Sequence, residues 1–209
     1  MYGHVKKLFL LVFSLTIAVN SFSAFESTYE PLQSEKVLFI NGNILDGEGN
    51  ELLDTDLLIG NGKIIAIGKG ISVEDKDIKI IDAKNKWITP GIIDIHSHMG
   101  VYPAPSVRTS SDGNEATSPV TAEVWAEHSM WVQDPQYSLA LKGGITTFHV
   151  LPGSANLIGG RGVTVKNLQR NTIQSMKYPD AKHSLKMACG ENPKRVYGNR
   201  GQAPSTRMG

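Results

Sequence analysis

Two histidines separated by one residue, His96 and His98, close the run Pro90-Gly91-Ile92-Ile93-Asp94-Ile95-His96-Ser97-His98. In an extended strand, side chains two residues apart lie on one side, about 6.5 to 7 Å from each other. Both imidazoles therefore reach one space, where two neutral rings can hold one divalent cation at about 2.0 to 2.1 Å each. The bland alternative is a pair of hydrogen-bonded histidines. An apolar strand that ends in two ligating side chains has no packing rationale, however, whereas the carboxyl ends of barrel strands are where active sites are built. Asp94 shares the histidine face, either as a partner that supports the ligands or as a satisfied core carboxylate.

The chain that must position these groups has 209 residues, of which 40% are hydrophobic and 20% charged, an ordinary composition for a globular protein. Lys and Arg number 21 against 20 Asp and Glu, so no basic excess argues for a nucleic-acid partner. The single Cys189 allows no intramolecular disulfide and no thiolate metal cluster, so a metal here is held by His and oxygen ligands. Residues 1–23 combine a short basic start, the apolar run from Leu8 to Val19 and small residues up to Ser23 and Ala24, the pattern of a signal peptide. An apolar run of about twelve residues is too short to span a bilayer, so no stable membrane anchor is expected. The mature chain is expected to be periplasmic or secreted.

Residues 36–89 are dense in short β-branched and Leu-rich runs, separated by Asn41-Gly42-Asn43 and Gly60-Asn61-Gly62. Asn-Gly pairs suit hairpin turns, which predicts a small antiparallel β module. After Pro90-Gly91 the pattern changes. Ile92 to His96 reads as a strand buried on both faces in a parallel sheet. Thr121 to Val132 reads as helical, Asp134-Pro135 opens a clearer helix that Gly143-Gly144 ends, Ile145 to Leu151 is a strand, Lys166 to Met176 is moderately helical, and Ser184 to Ala188 is a short strand. Strand, crossover, strand implies βαβ units, hence an α/β fold over residues 90–209.

The β module ending in Trp87-Ile88-Thr89-Pro90-Gly91-Ile92-Ile93-Asp94-Ile95-His96-Ser97-His98 resembles the opening of the amidohydrolase superfamily of metal-dependent hydrolases, in the group similar to imidazolonepropionase and dihydroorotase. The resemblance implies a (β/α)8, TIM-type barrel with a β-sandwich that includes residues 36–89, one or two divalent ions, most often Zn2+, and His96 and His98 as ligands. It also implies a carboxylated Lys or a Glu between two metals. Lys186, in the apolar run Leu185-Lys186-Met187-Ala188, stands where the family places that Lys. A buried ammonium is costly there, and a carbamate is one resolution. Glu191 is the rival oxygen ligand; the plainer reading turns Lys186 outward and leaves Glu191 solvated. Gly143 to Ser154 resembles the second barrel strand and its loop, where His149 either looks into the barrel mouth toward a metal or, as such a histidine more often does, serves as a hydrogen-bonded interior residue. Asn156 and the Gly-rich stretch Gly159-Gly160-Arg161-Gly162 follow, with Asn156 and Arg161 as candidate substrate-binding residues. That stretch is either a loop in which Arg161 forks onto a substrate carboxylate or a tight structural turn.

A complete barrel needs about 250 residues, and roughly 120 follow Pro90, which implies the first part of a barrel. The family's later His pair and its general-base Asp are then expected beyond Gly209 or on another polypeptide. Two readings follow: a hydrolase of carbon–nitrogen bonds in a small-molecule substrate, present as an N-terminal portion inactive alone, or a non-catalytic metal-binding or scaffold remnant. The chain's partner is accordingly a missing C-terminal portion or a further copy in a homo-oligomer.

Overall fold

The computed structural model describes residues 24–209; the signal peptide read over 1–23 lies outside the described residues. The chain divides into two compact units, Glu30–Ile92 and a second formed by residues 93–209 with the segment up to Tyr29.

In the first unit, β1 (Val37–Leu45), β2 (Glu51–Gly60), β3 (Lys63–Gly68), β4 (Lys79–Asp82) and β5 (Trp87–Ile88) form a single sheet in the order β3-β2-β1-β4, with β5 also on β1. The β2–β3 hairpin turns at Asn61-Gly62, both with positive φ (52° and 71°), as the Asn-Gly pair requires. The other Asn-Gly pair is not a turn. Asn41-Gly42 is an irregularity inside β1: Asn41 has φ 59°, its N–H donates to Asp56 Oδ1 (3.0 Å) and its side-chain amide donates to Asp82 Oδ1 (3.1 Å). β1 thus runs on, and β4 and β5 pair with it in parallel. The antiparallel module expected from the sequence is a mixed sheet, with its five described strands in one layer.

The second unit is built on β6 (Ile92–Ser97), β7 (Ile145–Val150), β8 (Ile158–Lys166) and β9 (Ser184–Met187), in the order β6-β7-β8-β9. Helix α1 (Gln136–Lys142) starts and stops where Asp134-Pro135 and Gly143-Gly144 indicate. Asp134 Oδ1 accepts the Gln136 N–H (3.0 Å), and its Oδ2 accepts that of Gly100 (2.9 Å). A second helix, α2 (Glu191–Gly198), follows β9.

Three expectations are corrected here. β7–β8 and β8–β9 pair antiparallel, so the βαβ rhythm does not run through the unit. Residues 121–132 hold only a 3-10 turn at Ala126–His128, because their backbone bonds go to β8: Thr121 N–H to Ile158 O (2.8 Å), and Arg161 N–H to Val124 O (2.7 Å). Residues 167–176 form turns, in which Thr172 and Ser175 spend their hydroxyls on local backbone and compete with a helix.

β7 and β8 alternate cleanly. Phe148 pairs with Val165 and Val150 with Val163, all buried; with Tyr137, Val101 and Met176 they make the core, and Tyr137 stacks on Phe148 at 5.5 Å. Each such side chain stabilises the fold by about 1.5 to 3 kcal/mol through area removed from water. His149, Gly162 and Thr164 alternate onto the other face. β6, expected to be covered on both sides, is instead an edge strand, with Ile93 64% and Ile95 77% exposed. No described strand lies beyond it.

Candidate metal centre

The histidine pair sits where β6 meets β7. Ser97 O accepts the N–H of Leu151 (3.0 Å), which ties the two strand ends together. From this anchor the His98 ring turns so that Nδ1 lies 2.9 Å from Leu151 O. A carbonyl only accepts, so Nδ1 carries a proton, and in the neutral ring this tautomer leaves the Nε2 lone pair free, the state a metal ligand requires. The His96 ring stands edge-on to that of His98, with centroids 5.3 Å apart. Asp94 spends Oδ1 on the His96 backbone N–H (3.0 Å) and so stiffens the end of the strand. Tyr102, one turn after His98, sets its ring edge-on to the His98 imidazole at 5.6 Å. Nothing in the spacing of the sequence marks Tyr102, because its approach depends on a turn in which its N–H bonds to His98 O.

Lys186 joins this pair. Its Nζ lies 3.2 Å from His96 Nε2. β9 presents it opposite Gly160, where β8 is bulged. Gly160 has φ +112°, and a Cβ there would stand 2.6 Å from Val124 O, so only glycine fits the bulge. Electrostatics follow from the contact. The Lys186 ammonium, then burial, then His98 hold the His96 pKa below the ordinary histidine value. Burial pushes Lys186 below the usual lysine range. A neutral imidazole and an amine that sheds its proton more readily than most are both electron-pair donors.

The remaining predicted site residues lie elsewhere. Glu191 opens α2 as an exposed side chain paired with Arg195 (3.1 Å). Asn156 is 1% exposed, and its amide donates to Glu115 O (2.7 Å), Ser118 O (2.8 Å) and Thr121 Oγ1 (3.2 Å), which pins the long loop after β6. Residues 159–162 are the middle of β8 and not a Gly-rich loop. Arg161 alternates away from Gly162 onto the face opposite His149, where its guanidinium lies 4.5 Å over the Trp125 ring. His149 has both ring nitrogens hydrogen bonded, to Thr164 Oγ1 (2.9 Å) and Ser184 Oγ (2.6 Å), the interior role read from the sequence.

Among the described residues no group of three or more His, Cys, Asp and Glu converges. The two imidazoles, His98 with Nε2 directed away from its Leu151 bond and His96 with Nε2 engaged by Lys186, together with that lysine amine fit a divalent cation as part of a ligand set.

No family model matches the sequence. The chain is similar to the amidohydrolase tasK of Hapsidospora irregularis, 36% identical over 165 residues that make 74% of this chain and 17% of the relative. It is similar to a dihydroorotase of Bacillus cytotoxicus, 32% identical over 56% of this chain and 21% of the relative. Among solved structures, an amidohydrolase from Thermotoga maritima superposes with a TM-score of 0.73 at 42% identity, over 83% of this chain and 44% of that one. The matched stretch is thus less than half the length of each of these three proteins.

Proposed function

This chain belongs to the amidohydrolase superfamily, and from that premise we propose that His96, His98 and Lys186 form part of a metal-dependent site that hydrolyses carbon–nitrogen bonds in small non-peptide or cyclic amides. The observation that carries the reading is the meeting of Lys186 with His96, which brings a residue from β9 to the histidine pair of β6.

A divalent ion, Zn2+ by the character of the donors, would supply Lewis acidity toward the carbonyl and water acidic enough to act near neutral pH. The protein's own contributions are separate. Leu151 O fixes the His98 tautomer and leaves Nε2 free. The Lys186 ammonium lowers the His96 pKa and so disfavours its protonated form. When the Lys186 amine adds to CO2, a carbamate forms and one proton leaves; the positive charge beside His96 is then replaced by oxygen donors. As an ammonium Lys186 favours the neutral imidazole; as a carbamate it would instead offer oxygen donors beside that ring.

The sheet β6-β7-β8-β9 is, on this reading, the opening part of a (β/α)8 barrel, and the proton acceptor is an Asp from a later strand. The chain by itself is then inactive. Its leader directs it out of the cytoplasm, and its partners are a small-molecule substrate and the rest of the barrel, supplied as a C-terminal portion or within a homo-oligomer. A second reading, a metal-binding remnant without catalysis, draws support from the absence of a third His, Cys, Asp or Glu at the pair among the described residues.

A chimera separates the two. Residues 93–209 replace the matching stretch of the Thermotoga maritima amidohydrolase, and the product is assayed for amine release or ring opening on lactams, imides, N-acyl amines and dipeptides. Zn2+-dependent hydrolysis that disappears with His96→Ala/His98→Ala is the expected result. A folded chimera that is inert toward compounds the parent hydrolyses supports the remnant.

A further inference from the structure

β9 has four residues, lies at the edge of its sheet and pairs with β8 alone. Its outward side chains, Leu185 and Met187, are exposed, so no buried apolar pattern fixes its register. A slip of one residue would turn Lys186 to the opposite face. The β8 partner is irregular between Ile158 and Gly160, opposite Lys186, where the ladder constrains least. What holds the strand is polar and lies on the face of the histidine pair. His149, two strands away on β7, reaches across β8 to Ser184: Nε2 is 2.6 Å from Ser184 Oγ, while Nδ1 is held 2.9 Å from Thr164 Oγ1. The ring crosses β8 only because residue 162 is glycine; a Cβ there would stand 2.7 Å from both His149 Nε2 and Ser184 Oγ. His183, the neighbour of Ser184, adds a bond from Nδ1 to Gly162 O (2.9 Å). A glycine inside a strand weakens it and marks a close approach, and the approach here is this bridge.

We propose that His149 is a positioning residue that sets the register of β9 through Ser184 and so holds Lys186 against His96. The inference rests on the reading of Lys186 as part of the metal site and adds the device that keeps it there.

The test is Zn2+ affinity of the full chain, measured by competition with a chromogenic chelator in bicarbonate-containing buffer. Ser184→Ala is expected to weaken Zn2+ binding about tenfold or more, the scale on which groups behind the ligands act. Ser184→Thr, which keeps the hydroxyl, restores it, and in a Lys186→Met background Ser184→Ala changes nothing further. Gly162→Ala, which breaks the bridge by crowding and leaves His149 and Ser184 in place, gives the same loss. Unchanged affinity in Ser184→Ala, or an equal loss with and without Lys186, overturns the proposal. Zn2+ binding that His96→Ala/His98→Ala abolishes but Ser184→Ala leaves intact overturns this inference alone; binding indifferent to the histidine pair overturns the metal reading and this inference with it.

Discussion

Lys186 and His96 stand ninety residues apart in the chain and meet side chain to side chain, Nζ to Nε2 at 3.2 Å. An ammonium so close to an imidazole disfavours a second positive charge, and His96 is accordingly the group that yields its proton.

Removing that ammonium should raise the His96 pKa. In Lys186→Met the largest cause of the depression is gone, while burial and His98 remain, so recovery toward the ordinary histidine value is expected to be incomplete. Titration of the His96 ring signals by NMR measures it. A pKa identical in wild type and variant would show that the two side chains do not meet in solution.

His149 sets a pH dependence of stability. Burial, and then the charge of His183, lower its folded-state pKa, so below the unfolded value of about 6.5 the unfolded chain binds more protons than the folded one. Its contribution is complete above about pH 6.5 and is lost as pH falls through the folded value. Urea unfolding at several pH values between about 7.5 and 5 should show falling stability, with a shallower slope in His149→Asn. A slope unaffected by the substitution would remove His149 from the account.

Glu127 and Lys177 form an ion pair at 2.5 Å with side chains 0% and 7% exposed. They also clamp the segment that precedes the first unit: Phe25 N–H donates to Glu127 Oε1 (3.2 Å) and Lys177 Nζ donates to Phe25 O. Lys177→Met strands a buried carboxylate and is expected to cost about 3 to 5 kcal/mol, read as a drop in the midpoint of thermal or urea unfolding. Replacing both partners with apolar residues should cost less than Lys177→Met alone; additive losses would mean the two charges do not compensate each other.

Gly160→Ala places a methyl 2.6 Å from Val124 O at φ +112°. The backbone must move, at an expected cost of about 1 to 3 kcal/mol, and the bulge that faces Lys186 moves with it. Unfolding midpoints and Zn2+ affinity should both fall. A variant as stable as wild type would show that the bulge is not the native geometry.

The histidine pair was legible because its chemistry is local: a strand puts residues 96 and 98 on one side whatever the rest of the chain does. The limits of α1 were legible for the same reason, from Asp134, Pro135 and Gly143. The Lys186–His96 contact was only half legible. Its partner could be named by resemblance, but whether Lys186 faces His96 depends on the register of an edge strand, which depends on a bulge at Gly160 and on His149 reaching across Gly162. β8 itself was misread because Gly159, Gly160 and Gly162 lower strand propensity, while the reason for two of these glycines, the close approach of Val124 O and of His149, is tertiary. Asn41-Gly42 misled in the opposite sense: side chains of Asp56 and Asp82 capture Asn41 and keep it within β1.

The measurement closest to the centre of the account is Zn2+ titration of the chain, followed calorimetrically, in wild type and His96→Ala/His98→Ala. A saturable site in the wild type that disappears in the double variant, with both proteins equally folded, is the expected result. Equal zinc binding by the two would contradict it.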